Sequence, residues 1–225
     1  MSARILSVDC TNMRWTTLGL SEGGRSRGEF NAELGKSQAA LLPGLVESFL
    51  GAFGLTVRDM DFFAAVTGPG SFTGIKAGMA FVQFLAWGLG KKVIPLSSLE
   101  VIAFGHGLTP GSLVCPLLSA GGGRAYSALY RAGEEDEPPA EVFPEGVYAG
   151  AELATAVLSH GVGGVQRFAD FPERLGSFFP ASSPSLRRIR PSGSATALLA
   201  YLYTDRAVYP ADLEPVYFKE PDVGC

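Results

Sequence analysis

Residues 66–89, V-T-G-P-G-S-F-T-G-I-K-A-G-M-A-F-V-Q-F-L-A-W-G-L, restrict what this chain can fold into more than any other stretch. The apolar run 62–66 ahead of them reads as a buried strand. Gly68, Pro69 and Gly70 end that run in a sharp turn, which draws on the free backbone of glycine and the fixed φ of proline. Ser71 or Thr73 then caps a helix. Strand, glycine turn and helix N-terminus together expose backbone N–H groups at the positive end of a helix dipole. That is the arrangement of an anion site, most often for phosphate. The same spacing also suits a plain tight turn between two packed elements, because short glycine motifs recur widely.

The helix is apolar nearly all round. Between Ala77 and Leu89 its only strongly polar side chain is Gln83. Ile75, Met79, Val82, Leu85, Ala86 and Leu89 share one face at helical spacing, and Phe81, Phe84 and Gly88 share another. Gly74 and Gly78, four apart, let a second backbone approach closely. Such a helix is either buried in its own fold or packs on its sheet with one side and on a partner protein with the other. Its length and interruptions argue against a membrane span.

Composition narrows the function classes. With 18 Lys and Arg against 22 Asp and Glu, the net charge of −4 lacks the basic footprint by which a chain alone grips nucleic acid. At 225 residues and 47% hydrophobic content the chain has material for one large domain or two small lobes. The opening M-S-A-R-I-L-S-V-D runs straight into a strand pattern, so no signal peptide is expected. Cys10, Cys115 and Cys225 are odd in number and far apart, which points to a reduced, cytoplasmic protein without disulfides or a zinc site. His106 and His160 are far apart too and read as loop or surface residues. No HExxH is present. The acidic E-E-D-E-P-P at 134–139 reads as a solvated loop.

Taken in order, residues 4–10, 14–20 and 25–32 predict three strands in two hairpins, with the second turn at 21–24. Residues 37–53 predict a helix with Leu42, Leu45, Val46, Phe49 and Phe53 on one face, kinked at Pro43 or starting near it. Residues 92–96 give a fifth strand and 97–104 begin a third helix. Residues 113–119 and 124–131 predict a hairpin around Gly121–Gly123, 142–148 and 162–168 further strands, 151–159 a helix, 186–189 a last strand. A closing helix over 194–203 is capped by Ser192 or Ser194.

The order over 1–105, β-β-β-α-β-α-β-α, is that of a ribonuclease-H-like lobe, and 106–225 repeats it as a smaller C-terminal lobe. This α/β class with two ribonuclease-H-like lobes is the actin-like ATPase (ASKHA) fold. In that fold an Asp at the first hairpin and the glycine turns face a nucleotide. The class therefore implies Asp9, Thr11, Gly68, Gly70, Ser71, Thr73 and Gly74 as phosphate or nucleotide-turn candidates.

G-P-G-S-F-T-G-I-K-A-G at 68–78, S-S-L-E at 97–100, E-P-V-Y at 214–217 and V-D-C-T at 8–11 resemble the bacterial TsaB (YeaZ) family over almost the whole chain. The resemblance implies a non-catalytic scaffold in threonylcarbamoyladenosine modification of tRNA, beside the anticodon. It implies a TsaD-like catalytic paralogue and a TsaE-like ATPase as partners, a homodimer when the chain is alone, tRNA engaged only through the complex, and no membrane. It also implies that the first-lobe helices form the partner face, with Gln38, Leu41, Leu45, Gly74, Gly78, Met79 and Val82 as interface candidates. No intrinsic cofactor or metal is expected, and ATP or ADP is a candidate only at the interface with the catalytic partner.

Departures from the family pattern support the scaffold expectation. TsaD-like proteins carry two metal-binding histidines after their fifth strand; Ser98 and Ile102 stand at those places here, and neither holds iron or zinc. The family's Asp-Ala-Arg of the second-lobe hairpin is Ser119, Ala120, Gly121, and its His-Thr-Gln is Lys36, Ser37, Gln38. The alternative expectations are a small-molecule kinase or ATPase using Asp9 and the 68–74 turn and, last, an endopeptidase, for which no nucleophile dyad is visible.

Overall fold

The structure, a computed structural model, describes residues 2–12, 14–107, 109–134, 136–160, 164–181, 183 and 185–218. In chain order the first elements are β1 (Arg4–Asp9), β2 (Trp15–Glu22), β3 (Arg25–Glu33), α1 (Gln38–Gly51), β4 (Phe62–Gly68), α2 (Phe72–Leu89), β5 (Lys92–Ser97) and α3 (Ser98–His106). There follow β6 (Leu113–Gly121), β7 (Arg124–Arg131), β8 (Ala140–Ala149), α4 (Gly150–His160), β9 (Val165–Ala169), α5 (Pro172–Leu175), β10 (Arg187–Arg188) and α6 (Gly193–Leu202). Val162 and Gly163, at the start of one expected strand, and Cys225 lie outside the described residues.

The chain divides into two compact units, Met1–Ser98 with Pro191–Val216, and Leu99–Arg190 with the residues from Tyr217 on. The first is built on a sheet of order β3-β2-β1-β4-β5. β1, β2 and β3 are antiparallel; β4 and β5 join β1 in parallel. Alternation along β1 divides the two faces. Leu6 and Val8, with Leu18 and Leu20 of β2, point into a core made with Leu42, Val46 and Leu50 of α1 and Ile75, Met79 and Val82 of α2. Each fully buried side chain of this kind contributes about 1.5–3 kcal/mol of transfer free energy. The odd positions face α6: the Ser7 hydroxyl donates to Gly193 O, and the Ser21 hydroxyl to Ala197 O. α6 lies so close to β2 that a Cβ on Gly19 would sit 1.8 Å from Gly193 O.

The second unit repeats the plan. Its sheet runs β10-β9-β6-β7-β8, with β6, β7 and β8 antiparallel and β9 and β10 parallel. Leu153, Ala154 and Val157 of α4 pack with Cys115, Leu117 and Leu129 on one face. Leu99 and Ala103 of α3 pack with Val114, Leu118, Ala128 and Phe168 on the other.

Three sequence expectations are corrected here. The division at 105/106 gives way to an exchange: α3, which follows the first set of strands, packs on the second sheet, and α6, which follows the second set, packs on the first. Element order alone does not say which sheet a helix covers. Of the two readings of the first helix, a start near Pro43 gives way: α1 begins at Gln38 after a 3₁₀ turn at Gly35–Ser37 and runs through Pro43, which sits exposed. The second hairpin is also tighter than expected, since β2 continues to Glu22 and the turn shrinks to Gly23 and Gly24.

Candidate functional site

β1 ends at Asp9, opposite Thr17 of β2. The chain then turns back on itself, and the backbone N–H and hydroxyl of Thr11 both donate to Asp9 Oδ1 at 2.7 Å. Burial pushes the Asp9 carboxyl above its ordinary value, while the two Thr11 hydrogen bonds pull it the other way. Gln38, at the start of α1, fixes the far side of this loop by donating from Nε2 to Asn12 O at 3.0 Å and Trp15 O at 2.9 Å.

The glycine turn docks on this loop. Ser71 is the N-cap of α2, its Oγ accepting from Gly74 N at 3.3 Å, and its own N–H donates to Thr11 O at 2.7 Å. A Cβ on Gly74 would lie 1.9 Å from Cys10 O, so only glycine lets the helix approach the strand end this closely. A Cβ on Gly70 would lie 2.5 Å from Thr11 O. The carbonyl oxygens of Cys10 and Thr11 thus lie against the first turn of α2 and answer its dipole. On the other side, the Ser98 hydroxyl donates to Pro69 O, and Val216 N–H donates to Thr67 O at 2.9 Å. Gly68, which precedes a cis bond to Pro69, holds φ at +122°, and a Cβ there would meet Val216 O at 2.6 Å. Asp9, Thr11, Gly70, Ser71 and Gly74 are thus brought together, Gly68 faces Val216, and Thr73 is exposed.

Most residues expected at the partner face lie inside the first unit. Gln38, Gly74, Gly78, Met79 and Val82 are all buried within the first unit, and Gly78 and Gly74 face Cys10. Leu45 is half-buried. Leu41 alone of the seven is well exposed, at 46%. The correction has a simple cause: in a helix apolar all round, periodicity does not mark which stripe meets the sheet. The exposed stripe of α2 carries Phe84, 70% exposed, and Trp87, 75% exposed, with Ala80 and Thr73 on the same side. With Leu41 of α1, Phe84 and Trp87 are among the large apolar side chains left exposed in the first unit. Among the described residues α2 is also the one helix long and apolar enough to cross a membrane by length and composition. Its inner stripe packs on β4, β5 and α1.

In the second unit Ser119, standing where an aspartate was sought, donates its backbone N–H to both carboxylate oxygens of Asp170 at 3.1 Å. Asp170 follows β9, and burial raises its carboxyl while backbone N–H bonds from Ser119 and Phe171 oppose this. Sequence reasoning missed it; the A-D directly after the expected strand 162–168 was the available signal. Among the described residues no group of three His, Cys, Asp or Glu side chains converges to hold a metal.

Two sheets of one strand order, each with three antiparallel strands extended by two parallel ones, define an actin-like ATPase (ASKHA) fold. Solved structures agree at the level of fold: YeaZ from Pseudomonas aeruginosa superposes with a TM-score of 0.77 at 20% identity, covering 96% of this chain and 99% of that one. A family model described as TsaD, tRNA N6-adenosine threonylcarbamoyltransferase, matches residues 33–168, well over half of the chain. The TsaB protein of Bacillus subtilis, a tRNA threonylcarbamoyladenosine biosynthesis protein, is 30% identical over 129 residues, covering 56% of this chain and 55% of its own. An uncharacterized protein of Mycobacterium tuberculosis is 32% identical over 169 residues, covering 75% of this chain and 68% of its own. The chain belongs to the TsaB/YeaZ family. It spans about half the length of the Bacillus relative, and less of the TsaB protein of Haemophilus influenzae, of which 26% is covered at 40% identity.

Proposed function

We propose that this chain is a non-catalytic subunit of the cytoplasmic machinery that makes threonylcarbamoyladenosine in tRNA, and that it binds and supports a TsaD-like catalytic paralogue. One observation carries the reading: α2 turns Phe84 and Trp87 outward, 70% and 75% exposed, an apolar face without a partner inside its own unit. The curated names of the Bacillus and Haemophilus relatives supply the pathway. A TsaE-like ATPase joins through the complex, tRNA is met there and not by this chain alone, and a homodimer covers the same face when the paralogue is absent. Any ATP or ADP sits at the interface with the paralogue. The closed contact of the 68–74 turn with Cys10 and Thr11 favours this reading over an ATPase acting alone.

Co-purification with the cognate TsaD-like protein tests it. The expected result is a stable complex with the wild type and loss of that complex with Trp87→Glu or Phe84→Glu, because an unpaired charge in an apolar interface is costly. A wild type that fails to bind overturns the reading. ATP turnover by the purified chain, abolished in Asp9→Ala, would establish the kinase or ATPase alternative instead.

A further inference from the structure

The E-P-V-Y motif at 214–217 has no part in the docking of the glycine turn on the Asp9 loop, yet most of it lies in the segment best attached to that turn's other side. From Ala207 to Val216 the chain runs without helix or ladder strand beyond one short 3₁₀ turn at Pro210–Asp212. Discrete bonds hold it. Val208 and Val93 of β5 exchange both backbone hydrogen bonds at 2.9 Å. Gln83 of α2 donates from Nε2 to Pro210 O at 2.9 Å and Leu213 O at 3.3 Å. Leu213 is buried in the core of the first unit. Val216 N–H reaches Thr67 O, and Val216 O lies against the Cα of Gly68. Between these points Ala211, Asp212, Glu214 and Pro215 are exposed.

We infer that residues 207–216 form a latch on the glycine turn. A segment held by one buried side chain and a few hydrogen bonds opens at lower free energy than the sheet it rests on. Opening removes the Val216 carbonyl from Gly68 and breaks the hydrogen bond from Val216 N–H to Thr67 O, so the strand end from which the turn departs loses its outer support. It also frees Gln83 on the flank of α2. Gln83 ties the middle of the segment to the helix, so its two ends release together. The latch is independent of whether the outer face of α2 binds a paralogue.

Hydrogen–deuterium exchange on the full chain reads this directly. Val216→Pro removes the N–H that bonds Thr67, and Gln83→Ala removes the two bonds in the middle. In both variants peptides covering 66–75 are expected to exchange about tenfold faster than in the wild type, while β1 and β2 keep their protection. Unchanged exchange over 66–75 in both variants overturns the latch. So does a uniform loss of protection across β1, β2 and β4 in both, which makes the segment an inseparable part of the unit. If Val216→Pro alone unfolds the unit, Gln83→Ala decides between the same two results.

Discussion

At the scale of the residue, Gly74 and Gly88 make a matched pair on one helix. A methyl group on Gly74 meets the Cys10 carbonyl at 1.9 Å, whereas nothing lies within 4 Å of a Cβ on Gly88. Gly74→Ala is expected to destabilise by about 1–3 kcal/mol through overpacking. Gly88→Ala should stabilise by about 0.5–1 kcal/mol through helix propensity. Urea unfolding of the two variants checks both signs. His106 gives a second residue-level prediction. Its Nδ1 lies 3.0 Å from Ile102 O and its Nε2 accepts from Arg190 N–H at 3.3 Å, beside the Phe168 ring. Burial, aided by the Arg190 charge and opposed by the bond to Ile102 O, lowers its pKa from the ordinary 6.5, so the folded state takes up a proton less readily than the unfolded chain. The unfolded chain takes up the proton first, so this contribution is complete above 6.5 and is lost as pH falls below it. The urea midpoint should drop between about pH 7.5 and pH 5.5, and the drop should shrink in His106→Leu. The caps at Ser71 and Ser192 were legible, because small hydroxyl residues stand directly before apolar runs. The roles of Gln38 and Asp170 were not, since each depends on a loop or strand end brought close only by the tertiary fold.

At the scale of the element, α2 was legible in its extent and in its excess of apolar surface, but not in its orientation. Met79 and Val82 were natural choices for the outer face, and they point into the sheet; Phe84 and Trp87 point away. Sedimentation of Trp87→Glu or Phe84→Glu should show a weakened self-association with unfolding stability held within about 0.5 kcal/mol, as for an exposed site. Ser71→Ala should instead leave association intact and cost about 1 kcal/mol of stability, the usual loss for an N-cap hydroxyl. The two measurements separate a surface role from a folding role on the same helix.

At the scale of the whole chain, the repeated strand order was readable from element order alone, because both halves carry a hairpin pair followed by a helix and a parallel strand. The exchange of α3 and α6 was not. Nothing in the composition of S-G-S-A-T-A-L-L-A-Y-L marks it as belonging to the first sheet; the fit of Gly193 on Gly19 and the Ser7 and Ser21 hydroxyls decide it. A fragment of residues 1–105 lacks that helix, so one face of its sheet is bare. It is expected to aggregate or stay non-cooperative in urea, and to recover a single sharp transition when residues 191–218 are fused to it. The exchange also bears on how the protein is made. A ribosome at about 5–20 residues per second needs roughly 5–20 s to pass from the end of β5 to the start of α6. Throughout that interval the first sheet is complete in its strands but open on one side, where Ile5, Val66, Ile94 and Leu96 stand beside Ser7, Gly19 and Ser21. The half-finished sheet is then the same species that the 1–105 fragment isolates, and until its last helix arrives that open face is what it presents to its neighbours.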